Sequence, residues 1–290
     1  MSRIRTIAIL PAMFTLANLF CGFFSIVAAS RIDKPLSAEV SRTQAIGSRV
    51  PTRIVEAFDV NDPTHNIILC GSLIFLAMVF DALDGHVARL SRTSSDFGAQ
   101  LDSLCDVVTF GAAPAFLLVK MCPSVAWWSP HIVWLIPALF VACAAMRLAR
   151  FNVETGDDDD HMNFSGLPSP AAAAVVASSA LLFYSLRNDT IALANIQQID
   201  QYLQGGLMIF SALVALLMVS RIPYPHVVNQ MLHGRRSFGH LVGLLFAVVA
   251  VLVVPFYTLP VVAYAFAISG PAKFFWQWAV RRQHREESWF

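Results

Sequence analysis

Charge is scarce in this chain. Of its 290 residues, only 13% are Asp, Glu, Lys or Arg, about half of the roughly 25% usual in soluble domains. The formal net charge is +1, and no basic stripe interleaved with aromatics occurs, which argues against a nucleic-acid partner. Cysteine is sparse and unpatterned. Cys21, Cys70, Cys105, Cys122 and Cys143 lie mostly within or at the edges of apolar segments without C-x-x-C spacing, and read as small packing residues. No internal repeat is found, and inverted repeats would have favoured a transporter.

What is abundant is apolar surface, 57% of residues. It recurs in stretches of about 17 to 25 residues, the length a helix needs to cross a hydrocarbon core about 30 Å thick. The expected fold is therefore all-α: a polytopic integral membrane helical bundle of about eight transmembrane helices. The spans fall near residues 7–29, 66–89, 97–120, 131–150, 167–186, 204–220, 238–255 and 259–278. The first is kept as a helix, because it is long for a removable signal and lacks a clear cleavage site. Residues 1–290 read as a single membrane-embedded domain.

Basic residues near span ends stay on the cytoplasmic side. With the N-terminus inside, the inner loops hold thirteen of the twenty Lys and Arg residues, among them Arg89, Arg92, Arg147, Arg150, Arg235 and Arg236. Both termini are then cytoplasmic, and the loop at 31–65 is extracytoplasmic. The run Asp157–Asp160 reads as a solvated inner loop rather than a second cation site.

Against this background one segment stands out, "DALDGHVARLSRTSSDFGAQLDSLCD" from Asp81 to Asp106. Asp81 and Asp84 are three apart at the end of the second span, and Asp102 and Asp106 four apart on the third, so each pair occupies one helix face. A short polar turn joins the two helices, which lets the pairs meet. Four converging carboxylates repel one another and resist desolvation, a conflict that divalent cations remove. All-oxygen ligands select hard ions such as Mg2+, Mn2+ or Ca2+, and two such ions suit in-line displacement at phosphorus. A carboxylate-lined cation transporter is the alternative of a different class. Clustering at one interface, with an Arg and two glycines nearby, favours a nucleotide over a bare ion.

The spacing D-x2-D-G-x2-A-R-x8-G-x3-D-x3-D, met by Asp81, Asp84, Gly85, Ala88, Arg89, Gly98, Asp102 and Asp106, resembles the signature of the CDP-alcohol phosphatidyltransferases. Further segments, "FGAAPAF", "AMRLARFNVE", "GLPSPAAAA" and "SRIPYPH", resemble the membrane-embedded bacterial and archaeal phosphatidylserine synthases. The likeness departs at Ala12, where many relatives carry Asn, and in the longer 31–65 loop. It implies transfer of a phosphatidyl group from CDP-diacylglycerol to L-serine, with CMP leaving; glycerol 3-phosphate, inositol phosphate or an amino alcohol are alternative acceptors. It also implies metal ligation of two Mg2+ or Mn2+ by Asp81, Asp84, Asp102 and Asp106, with Asp106 as proton acceptor. Gly85, Arg89, Ser95 and Asn18 would contact the CDP-lipid. Arg147, Arg150 and Ser169 are the candidates for gripping serine, since a guanidinium fork matches a carboxylate. A homodimer in the cell's inner (cytoplasmic) membrane, in contact with membrane lipids and with its active site on the cytoplasmic side, completes the expectation.

Overall fold

A computed structural model of the chain describes residues 2–32, 63–91, 96–123, 125, 130–154, 166–189, 196–224, 249–251 and 253–287. Eight α-helices run through them: α1 Ser2–Ser30, α2 Pro63–Ser91, α3 Asp96–Asp106, α4 Ala113–Met121, α5 Ile132–Glu154, α6 Ser169–Asp189, α7 Ile196–Val219 and α8 Pro255–Glu287. A six-residue π-helical turn, Val107–Ala112, joins α3 to α4, so that the two form one continuous rod. Hydrocarbon offers no partner to a backbone N–H or C=O, and helices satisfy these groups within the segment.

Among the described residues, six stretches are long and apolar enough to cross a membrane: Pro11–Ser30, His65–Val87, Phe97–Met121, Ile132–Val153, Asp200–Val219 and Pro255–Gln277. They coincide with six of the eight expected spans. The expected span at 167–186 is a helix too, but its apolar part, Ser169–Phe183, is shorter. Most of the expected span at 238–255, like most of the loop at 31–65 and the run Asp157–Asp160, lies outside the described residues.

α6 is the hub. It packs against α2, α4, α5, α7, α8 and the π-helical turn, and Ala172, Ala173, Val175, Val176, Ala177, Ser178, Ser179 and Ala180 are all buried. A helix enclosed by protein gains from small side chains that let backbones approach, because lipid tails supply no hydrophobic drive between helices. On α2, a Cβ at Gly71 would stand 2.9 Å from the Ala177 carbonyl oxygen. α1 and α2 form the most extensive pair, and two bonds across them run in opposite senses. Ser25 Oγ donates to the Cys70 carbonyl at 3.2 Å, and Cys70 Sγ to the Ser25 carbonyl at 3.3 Å.

Two backbone bonds tie the entry of α6 to the end of α7: Gly166 N–H to Ile222 O at 2.9 Å and Leu167 N–H to Leu217 O at 3.0 Å. Gly166 has φ +95°, and a Cβ there would stand 2.4 Å from the Met218 carbonyl oxygen, so both conformation and space require glycine. Beyond α7, Tyr224 donates to the Ala267 carbonyl of α8 at 2.8 Å. Burial pushes its phenol up to about 12, which keeps the donor proton in place at neutral pH. The ring lies directly over Gly270, where a Cβ would come 2.4 Å from Tyr224 Cζ. Gly270→Ala should therefore destabilise the protein by about 1–3 kcal/mol, the usual cost of overpacking, read as a lower thermal midpoint in detergent; an unchanged midpoint would show that α8 is not seated on Tyr224.

Candidate active site

α2 and α3 bring the acidic residues together. Ligand oxygens of Asp81, Asp102 and Asp106 all lie within 4.8 Å of one another. Asp84, only 5% exposed, is the fourth member, and every pair among the four carboxylates interacts electrostatically. The helix spacing accounts for this, since residues three or four apart share a face. Asp106 makes no side-chain cap to the π-helical turn that begins beside it, and its carboxylate is directed to the cluster instead.

Two buried carboxylate oxygens, Asp84 Oδ2 and Asp102 Oδ1, have no hydrogen-bond partner among the described residues. Buried acceptors are normally satisfied, so orphaned carboxylate oxygens within an all-oxygen cluster fit a divalent cation. Asp81, Asp102 and Asp106 would hold it, with Asp84 beside them. The Thr15 hydroxyl of α1 lies beside Asp84 and donates to the Pro11 carbonyl at 3.1 Å.

Arg147 on α5 faces Asp81 and Asp106. Its Nη1 donates to Ser169 Oγ at 2.9 Å, while its Nε is buried without a partner among the described residues. Two of the residues expected to grip the acceptor thus meet each other beside the carboxylates. Ser169 is fully buried at the first turn of α6, held there by the Gly166 and Leu167 bonds to α7. Arg150 is half-buried one turn further along α5. Among the described residues, nothing lies within 4 Å of a Cβ position at Gly85. Arg89 lies on α2 with its side chain outside the described set, and Ser95 is outside the described residues.

Asn18, expected to contact nucleotide, has its side chain on Asp106. It is fully buried, and its Nδ2 donates to Asp106 Oδ1 at 2.9 Å. Thr109, in the π-helical turn, donates to the Asn18 carbonyl at 3.2 Å. Sequence reasoning passed over Thr109, Thr15 and the Ser103–Asn152 pair, whose side chains exchange bonds of 3.0 and 3.1 Å between α3 and α5. The one available signal was spacing: Thr109 follows Asp106 by three residues and Ser103 precedes it by three, but polar residues at helical spacing carry no mark of function by themselves.

A model of the CDP-alcohol phosphatidyltransferase family matches residues 8–217, a stretch that contains every residue of this site. The chain is similar to a Methanocaldococcus jannaschii protein named CDP-diacylglycerol–serine O-phosphatidyltransferase, 38% identical over 159 residues. That alignment covers 55% of this chain and 65% of the archaeal protein, a little under two thirds of its length. A Helicobacter pylori protein of the same name is 31% identical over 226 residues, 77% of this chain and 74% of that protein. A Methanothermobacter thermautotrophicus protein named archaetidylserine synthase is 39% identical over 158 residues, 53% of this chain and 57% of that protein.

Cation binding should stabilise the fold, because an ion that binds only the native state shifts unfolding by mass action. Chelator-treated protein should gain thermal stability on addition of Mn2+ or Mg2+, and Asp81→Asn or Asp102→Asn should remove most of the gain. A midpoint indifferent to both ions would count against a metal centre.

Proposed function

Because the chain belongs to the CDP-alcohol phosphatidyltransferase family, we propose that it transfers the phosphatidyl group from CDP-diacylglycerol to L-serine, giving phosphatidylserine and CMP. The observation that carries this reading is the placement of Arg147 and Ser169 against the carboxylate cluster. A cationic fork beside a small hydroxyl suits the carboxylate of an amino-acid acceptor. The names of these similar proteins support the same acceptor.

Asp81, Asp84, Asp102 and Asp106 would hold the divalent cations, two Mg2+ or Mn2+. When bound, these ions would offset the charge of the diphosphate and of the phosphorus under attack. Asp106, oriented by Asn18, would accept the proton of the serine hydroxyl. That oxygen forms a bond to the phosphorus bearing the diacylglycerol, and the bond from the same phosphorus to CMP breaks, its electron pair leaving with CMP. Proton removal at the moment of attack is what a poor nucleophile needs. Arg89 and Ser95 would bind phosphate oxygens, and the open space at Gly85 would admit the nucleotide. Arg147, with Arg150 at the rim, would hold the serine carboxylate.

In this reading the protein is a homodimer of the cell's inner membrane with cytoplasmic termini and a cytoplasmic active site, where acyl tails stay in lipid and the nucleotide stays wet. A cysteine introduced at the exposed position His131 should react with impermeant reagents from outside, and one introduced in the run Asp157–Asp160 from inside; the reverse pattern would overturn the orientation.

The direct test supplies purified protein with CDP-diacylglycerol, labelled serine and Mg2+ or Mn2+. Labelled phosphatidylserine is expected, and it should collapse in Asp106→Asn, which keeps the side-chain shape but cannot take the proton. Arg147→Ala should weaken serine use by about 2 kcal/mol, in the range for a hydrogen bond to a charged group, with little change in CDP-lipid affinity. Turnover of glycerol 3-phosphate without any of serine would sink the acceptor assignment.

A further inference from the structure

A second line of contacts lies behind the carboxylates, between α1 and the π-helical turn. The Thr109 hydroxyl donates to the main-chain carbonyl of Asn18 at 3.2 Å, and the side-chain amide of the same Asn18 donates to Asp106 Oδ1 at 2.9 Å. Thr109 and Asn18 are both fully buried. One residue of α1 is thus gripped from the turn on its main chain and itself grips the carboxylate on which the turn begins.

The grip depends on how closely the two elements approach. A Cβ at Gly22, one turn beyond Asn18 on α1, would stand 2.4 Å from Thr109 Oγ1 and 2.8 Å from Thr109 Cα. Glycine is what allows this contact, and the second clash is with main chain, so no rotation of the Thr109 side chain would relieve it. The turn matters for a related reason. π-helical geometry changes the angular register after Asp106, and with it the direction in which Thr109 leaves the helix.

From this geometry we infer that Thr109 is a positioning residue for the transfer: it sets Asn18, and through Asn18 the aim of the Asp106 carboxylate, with Gly22 providing the required approach. Thr109 reaches the site only through Asn18. The inference rests on the role proposed for Asp106, but it concerns the placement of that carboxylate and has a readout that needs no turnover. A misplacement of about 1 Å can cost a hundredfold in rate when reacting groups must be aligned, whereas binding of a distant nucleotide tolerates it.

The test compares Thr109→Val, which keeps shape and removes the hydroxyl, with Thr109→Ser, which keeps the hydroxyl. Thr109→Val should lower kcat roughly tenfold to a hundredfold with the KM for CDP-diacylglycerol nearly unchanged, and Thr109→Ser should restore most of it. Gly22→Ala leaves every polar group in place and should nevertheless lower kcat in the same way, which keeps the idea open to test if Thr109→Val folds poorly. Independently of activity, Mn2+ affinity measured by electron paramagnetic resonance without lipid substrate should fall several-fold in Thr109→Val, yet show no further loss when the same change is added to Asp106→Asn, as coupled residues require. A protein that binds Mn2+ in this pattern without making phosphatidylserine would keep the positioning role and remove the acceptor assignment. Near-normal kcat in Thr109→Val, Thr109→Ser as impaired as Thr109→Val, or additive losses of Mn2+ affinity would each overturn the inference.

Discussion

Four carboxylates held together on apolar helices repel one another, and nearly every feature of this site answers that repulsion. Asp81, Asp84, Asp102 and Asp106 come from two helices that both pack against α1, so they cannot separate without unmaking that packing. Relief has to come from positive charge and from donors. Arg147 supplies one cationic group, and the Asn18 amide supplies a donor from α1. Two buried carboxylate oxygens have no hydrogen-bond partner among the described residues, and a divalent cation is the chemistry that would suit them. The repulsion that makes the cluster costly by itself is what such a cation would relieve.

Holding such a cluster demands a rigid frame in a solvent that gives helices little reason to associate. The bundle supplies this through close approach. α6, built largely from alanine, valine and serine, sits at the centre, and glycines at 22, 71, 166 and 270 mark where backbones or rings come nearest. Each contact has a consequence near the site or for its support. Gly22 brings α1 against the turn that follows Asp106, and Gly166 locks the start of α6 so that Ser169 meets Arg147. Packing and function are joined here because each residue that bears on the chemistry stands on a helix seated by a neighbour with no side chain.

The legible part of the site followed from local geometry. Pairs three and four residues apart on apolar helices had to share a face, and so the meeting of Asp81, Asp102 and Asp106 could be expected. Arg147 and Ser169 could be singled out by chemistry, although their bond to each other spans 22 residues of sequence and depends on the turn at Gly166. Asn18 was noticed for a different role. Its bond to Asp106 crosses 88 residues, and no periodicity within one helix reports which neighbour a polar side chain will face. Thr109 and Ser103 escaped notice because a polar residue on a membrane helix has many possible partners, and only packing selects one.

Composition and spacing alone determined that the chain is a helical membrane protein, because hydrocarbon forces long apolar segments to satisfy their own backbones, and that Asp81, Asp84, Asp102 and Asp106 form one oxygen-rich centre. The number of segments was less decided: the Ser169–Asp189 helix is enclosed by others, and a helix shielded from lipid need not carry a full-length apolar run. Tertiary structure alone decided that α1 serves the third span's carboxylate, that Arg147 is shared between acids and Ser169, and that a π-helical turn follows Asp106. These depend on the rotation and separation of whole helices, which arise from the sum of many small contacts and leave no local mark in sequence.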